Sequence, residues 1–230
     1  MKKLILEFSS SFSYLLFGAI VEIVVLNYLP LSNFIFQILL IAVGYAASFG
    51  VFYTFFNKVD STDVNPIFTF SSWLLNKISN KEFITIIVSQ TLGGLVAGLL
   101  LWLVFSESIK VLALGYGNFS MFQSSLDAII LIEFLFSFVF VIARSILQDK
   151  IKLKKYLGLI LGFLFFWLLF FSIPYTGGSV NPVRPLLSNF YVNQDCLRQS
   201  LFYILSPLAG SLFASIIYHI YHQIMNNVSK

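Results

Sequence analysis

The sequence predicts an all-α membrane protein of six transmembrane helices plus two re-entrant half-helices, arranged as an inverted repeat. Three observations carry this. The 230 residues are 58% hydrophobic and only 10% charged, with a mean hydropathy of +0.89, whereas soluble domains carry roughly 25% charged residues. Six apolar runs each reach the ~20 residues a helix needs to cross a ~30 Å hydrocarbon core. Finally, Asn65-Pro66-Ile67 and Asn181-Pro182-Val183 each sit in a polar gap, and each leads into an apolar stretch too short to cross alone.

The runs occupy about 4–29, 34–56, 83–105, 126–147, 156–174 and 201–221. They are apolar on every side and lack the alternation of a barrel strand, which selects helices. Little sequence lies between them, so residues 1–230 read as one integral membrane domain. Lys2 and Lys3 before the first run resemble the start of a signal peptide. Glu7 interrupts that run and no small-residue cleavage site follows, so it is taken as an uncleaved first helix.

An even number of spans puts both termini on one side. Lys2, Lys3, Lys58, Lys77, Lys81, Arg144, Lys150, Lys152, Lys154, Lys155 and Lys230 fall on that side, against Lys110, Arg184 and Arg198 opposite. The positive-inside rule makes it the cytoplasmic side of a cell membrane. The net charge of +4 therefore belongs to loops facing lipid headgroups, and no nucleic-acid partner is expected.

Splitting the chain near Phe119 gives repeats of about 1–118 and 119–230. Glu7-Phe8 matches Glu133-Phe134, and Gln90–Gly94 takes the place of Ser206–Gly210. Three spans per half make the second half enter from the opposite face, which puts the functional site near the midplane between the halves. Residues 65–76 make a helix of ~18 Å at most, half a membrane. Asn suits the N-cap and Pro the first helical position. Two such starts face their positive dipole ends across the midplane. That arrangement implies a pore for small neutral molecules.

Gly93, Gly94 and Gly98 in the third span, and Ala209, Gly210 and Ala214 in the sixth, permit close helix approach where lipid removes any hydrophobic drive to pack. Gly158 and Gly162 give the fifth span a similar face. The many Phe residues read as lipid-facing bulk. Cys196 is the only cysteine, and the two histidines, His219 and His222, sit at the end of the last span. That excludes cysteine or histidine chemistry at membrane depth; no cofactor, no metal and no enzyme activity are expected.

Glu7-Phe8, Gln90–Gly94, Ile132-Glu133-Phe134, Tyr175 to Arg184 and Ser206–Gly210 together resemble the major intrinsic protein family, the aquaporins and aquaglyceroporins, over nearly the whole chain. The family usually writes Asn-Pro-Ala twice, where this chain has Ile67 and Val183. The resemblance implies a homotetramer with one pore per subunit, conducting water and small neutral solutes through membrane lipid. It implies that Asn65 and Asn181 turn amide N–H groups to a passing oxygen, and that Arg184 is the filter arginine, a rigid fork of donors.

Gap-free counting from the two asparagines puts the other filter positions at Tyr45, Leu169 and Gly178, with Phe49 the alternative to Tyr45. The set is that of neither standard type, and should admit small polyols or hydrogen peroxide as well as water. In the family the residues matching Glu7 and Glu133 accept hydrogen bonds from the half-helix loops, a structural role expected here too. Glu22 is placed in the headgroup zone. Asp60 and Asp63 stand at the cytoplasmic mouth, where they could bind a cation or respond to acid.

Two other classes compete. A secondary transporter also has inverted repeats and broken helices, but it needs an ionisable coupling residue in its site. A substrate-binding membrane subunit of an importer fits the size without explaining paired Asn-Pro half-helices.

Overall fold

The computed structural model describes residues 2–116, 120–149, 156–192 and 194–228. The expected repeat boundary at Phe119 and the loop lysines Lys150, Lys152, Lys154 and Lys155, with Lys230, lie outside the described residues. In chain order the helices are α1 (Lys2–Asn27), α2 (Phe34–Val59), α3 (Pro66–Leu74), α4 (Asn80–Phe105), α5 (Leu126–Asp149), α6 (Leu157–Thr176), α7 (Arg184–Val192) and α8 (Gln194–Val228). All but α3 and α7 are long and apolar enough to cross a membrane.

Local chemistry sets the helix ends. Asn33 caps α2 by accepting from the Ile35 and Phe36 amides. Ser79 and Glu82 form a reciprocal capping box on α4. Pro174 starves the last turn of α6 of a backbone donor, and Gly177 then turns the chain at φ 75°, a conformation a side chain would penalise. α3 opens as expected, with Asn65 as N-cap and Pro66 first.

α7 differs. Regular helix begins at Arg184, and residues 181–184 form a tighter turn closed by Arg184 N–H to Asn181 O, 3.2 Å. Pro185 is the reason: it has no N–H to give the Asn181 carbonyl, so the four-residue hydrogen-bond ladder cannot start there.

Within the first half α1 packs on α4, and within the second α5 packs on α8. The halves join through α2 on α6, while α3 lies on α8 and α7 on α4, so each short helix is held by the last helix of the other half. Glycines permit these contacts. A Cβ on Gly93 would lie 2.5 Å from the Phe8 carbonyl oxygen, and one on Gly210 would collide with the equivalent Phe134 carbonyl. At the α2–α6 crossing a Cβ on Gly162 would lie 3.1 Å from Gly50 Cα. Buried hydroxyls add bonds between helices: Ser11 donates to Gln90 O at 3.0 Å and Ser211 to Ile67 O at 2.6 Å.

Ile67 and Val183, larger than the alanines usual in the resembled family, are both buried where the short helices meet. Gly94 makes the room, since a Cβ there would strike Val183.

Candidate functional site: the meeting of the two half-helices

Two carboxylates shape this region. Glu7 of α1 accepts the Asp63 amide at 2.8 Å on Oε1 and the Val64 amide at 3.0 Å on Oε2. Glu133 of α5 accepts the Ser179 amide at 3.1 Å and the Val180 amide at 2.7 Å in the same two-pronged way. Gln90 steadies the first at 2.9 Å, and the Thr176 hydroxyl the second at 2.7 Å. Each fork holds a β-branched residue in the left-handed region, Val64 at φ 67° and Val180 at φ 46°. Such residues cost about 1–3 kcal/mol each and persist only where the surroundings over-determine them.

That backbone presents the two asparagines. Asn65 uses Oδ1 to cap the Ile67 amide at 3.1 Å and turns Nδ2 to Val180 O at 3.0 Å. Asn181 caps the Val183 amide at 2.8 Å, and its Nδ2 donates to the Tyr14 hydroxyl. Both are fully buried.

On the side where α1 ends, Arg184 stacks its guanidinium 4.6 Å above the Tyr45 ring. It donates from Nη1 to Gly177 O and from Nη2 to Glu22 Oε2 at 2.8 Å, while Nε is buried without a partner. The Tyr45 hydroxyl donates to the same Glu22 oxygen at 2.9 Å. A Cβ on Gly178 would lie 3.1 Å from Leu169 Cδ2. Tyr45 thus meets Arg184, and Phe49, one turn away, does not. Glu22 does not face headgroups or solvent: it is 4% exposed and ion-paired with Arg184.

On the side where α1 begins, Asp63 pairs with Arg144 and accepts the Ser72 hydroxyl at 3.3 Å. Arg144 also donates to the Tyr53 hydroxyl at 3.4 Å and lies 4.7 Å from the Phe68 ring centroid. Asp63 is therefore not a free carboxylate at a mouth, and Arg144, counted above as a surface cation, is buried. Asp60 stays exposed and accepts its neighbour, the Ser61 amide, at 2.8 Å. A cavity of about 680 Å³ opens on this side and reaches Tyr53, with Asn57, Lys58, Lys77 and Gln148 on its walls.

Between the two ion pairs lies a packed aromatic layer. Phe49 contacts Tyr14 at 5.6 Å, Phe140 at 5.4 Å and Phe165 at 5.2 Å between ring centroids, and Phe68 meets Phe140 at 4.8 Å. All five rings are at most 1% exposed. These phenylalanines are not the lipid-facing bulk expected of them. One signal could have found them. Tyr14 and Glu22 follow Glu7 by seven and fifteen residues, and Phe140 and Arg144 follow Glu133 by seven and eleven, so each set shares one helix face.

Comparison with known proteins agrees with this geometry. A profile described as "Major intrinsic protein" matches residues 1–218. Aquaporin Z of Photorhabdus laumondii is 27% identical over 163 residues, covering 68% of this chain and 71% of that one. Glycerol uptake facilitator protein-like 6 of Lactiplantibacillus plantarum is 22% identical over 216 residues, covering 94% and 95%. The X-ray structure of the aquaglyceroporin from Plasmodium falciparum superposes with a TM-score of 0.79 at 15% identity, covering 99% of this chain and 97% of that one. With its carboxylate-forked half-helices and these likenesses, the chain belongs to the major intrinsic protein family, a family of passive channels rather than enzymes.

Proposed function

We propose that this channel passes water and small uncharged solutes of the polyol class, with hydrogen peroxide a further candidate, while excluding ions and protons. The carrying observation is the pair of buried amide donors, Asn65 Nδ2 and Asn181 Nδ2, presented at two facing half-helix starts by the Glu7 and Glu133 forks. A solute oxygen that takes both donors is oriented against relaying a proton, and the two positive dipole ends oppose a cation.

Glu22 changes how the work is divided. With a carboxylate 2.8 Å from its guanidinium, Arg184 contributes donors to the filter but little net charge. Cation exclusion then rests on the half-helix ends. Tyr45, Leu169 and Gly178 form the remaining walls, largely apolar, which suits a polyol carbon face. Asp60 is the candidate modulator at the cytoplasmic mouth, whereas Asp63 is held in its buried pair with Arg144. The protein is placed in the plasma membrane with both termini cytoplasmic, as a homotetramer with one pore per subunit.

Stopped-flow light scattering on proteoliposomes tests this. Shrinkage in a sucrose gradient, followed by re-swelling in glycerol faster than in protein-free vesicles and linear in gradient, is the expected result. Saturable uptake that depends on an ion gradient would replace the channel with a transporter.

A further inference from the structure

We propose that Tyr14 closes this pore and sets what can pass it; the inference rests on the channel reading above. Tyr14 stands on the same face of α1 as Glu7 and Glu22, seven residues after the first and eight before the second. Its hydroxyl accepts from Asn181 Nδ2, one of the two donors assigned to the permeant. The donor is occupied by a side chain of the protein itself.

The ring completes the closure. Phe49 meets Tyr14 at right angles, with centroids 5.6 Å apart, and leans on Phe140 and Phe165, which stack on each other at 5.1 Å. The cavity of about 680 Å³ is lined in part by Tyr53, whose ring lies 5.5 Å from Phe49. On the other side of the layer Tyr45 lies beneath Arg184. A solute arriving from the cavity thus meets these packed rings before it can reach the filter. Gly18, one turn beyond Tyr14, offers no escape volume, because the Tyr45 ring fills the space a Cβ would take.

Passage requires the phenol to leave Asn181. A permeant with an acceptor oxygen replaces one hydrogen bond by another, so the exchange costs little in hydrogen bonding. A permeant without such an oxygen leaves a buried amide donor unpaired, a penalty that rejects it. Tyr14 therefore selects small hydroxyl-bearing solutes over apolar solutes of equal size. What the exchange must overcome is the loss of the ring's packing against Phe49.

Full-length wild type, Tyr14→Phe, Tyr14→Ala and Tyr14→Ala/Phe49→Ala in proteoliposomes test the proposal, with water and glycerol permeability read by stopped flow and vesicle integrity by carboxyfluorescein retention. Tyr14→Ala should raise both permeabilities about tenfold over wild type with the dye retained. Tyr14→Phe, which keeps the ring and loses only the hydroxyl, should give a smaller rise. If Tyr14→Ala does not fold, Tyr14→Leu carries the same expectation.

A wild type already far above protein-free vesicles and unchanged by Tyr14→Ala would overturn the proposal and leave the channel standing. Opening only in the double variant would transfer the closure to Phe49 and equally overturn it. If no variant exceeds protein-free vesicles, the channel reading fails and this inference with it.

Discussion

Glu22 of α1 and Arg184 of α7 meet at 2.8 Å inside the protein, one from each half of the chain. Asp63 and Arg144 repeat the arrangement on the other side of the aromatic layer, again one from each half. Two buried ion pairs thus tie the halves together, one on each side of the aromatic layer. Removing one partner of such a pair leaves an uncompensated charge, which costs more than the pair itself contributes.

Glu22→Gln should therefore lower stability by about 3 kcal/mol, read as a fall in thermal unfolding temperature in detergent. Glu22→Gln/Arg184→Gln should recover most of that loss, because no lone charge remains. Additive single losses in the double-mutant cycle would mean that the pair is not coupled.

The two acidic residues near the cavity should behave differently. Asp63→Asn should destabilise by about 3 kcal/mol through stranded Arg144. Asp60→Asn, on an exposed carboxylate, should stay within about 0.5 kcal/mol of wild type. Equal effects would contradict the burial difference between them.

Glu133→Gln should lose about 2 kcal/mol, since an amide accepts through one oxygen where the carboxylate held two backbone N–H groups with charge-assisted bonds. The released Val180 backbone should also loosen, exposing the Ser179 and Val180 amides to hydrogen exchange. Protection unchanged at these two amides would show that the strained turn holds without its fork.

Lys77 gives a pH dependence of known sign. It follows α3, outside the spanning helices, and burial pushes its ammonium below the ordinary lysine range, although Asp149 pulls it partly back. The unfolded chain then binds the proton more tightly than the folded one. Stability should rise with pH across the interval just below the ordinary lysine value. Melting curves from about pH 8 to about pH 10.5 should show this upward slope, and Lys77→Gln should flatten it.

Much of the molecule can be read along the chain because its causes are local. Apolar runs of membrane length fix the six spans. Asn-Pro fixes the half-helix starts, through a cap at Asn65 and a constrained φ at Pro66. Counting along helices from those points selects Tyr45 and Arg184, whose side chains stack, and Leu169 and Gly178, which lie against each other. Even the small start of α7 at Arg184 follows from a neighbour, Pro185.

What the chain alone does not decide is the partner of a buried group. Helical periodicity puts Glu22, Tyr14, Phe140 and Arg144 on the same faces as the two forking carboxylates, yet those faces could equally meet lipid, water or a second half. Glu22 finds Arg184 162 residues away, and Asn181 finds Tyr14 across 167. The composition and period of the sequence determined a six-span channel with paired half-helices. Only the tertiary structure decided that Arg184 is paired with Glu22 and the Asn181 amide with Tyr14, because both depend on distances between halves that local propensity does not encode.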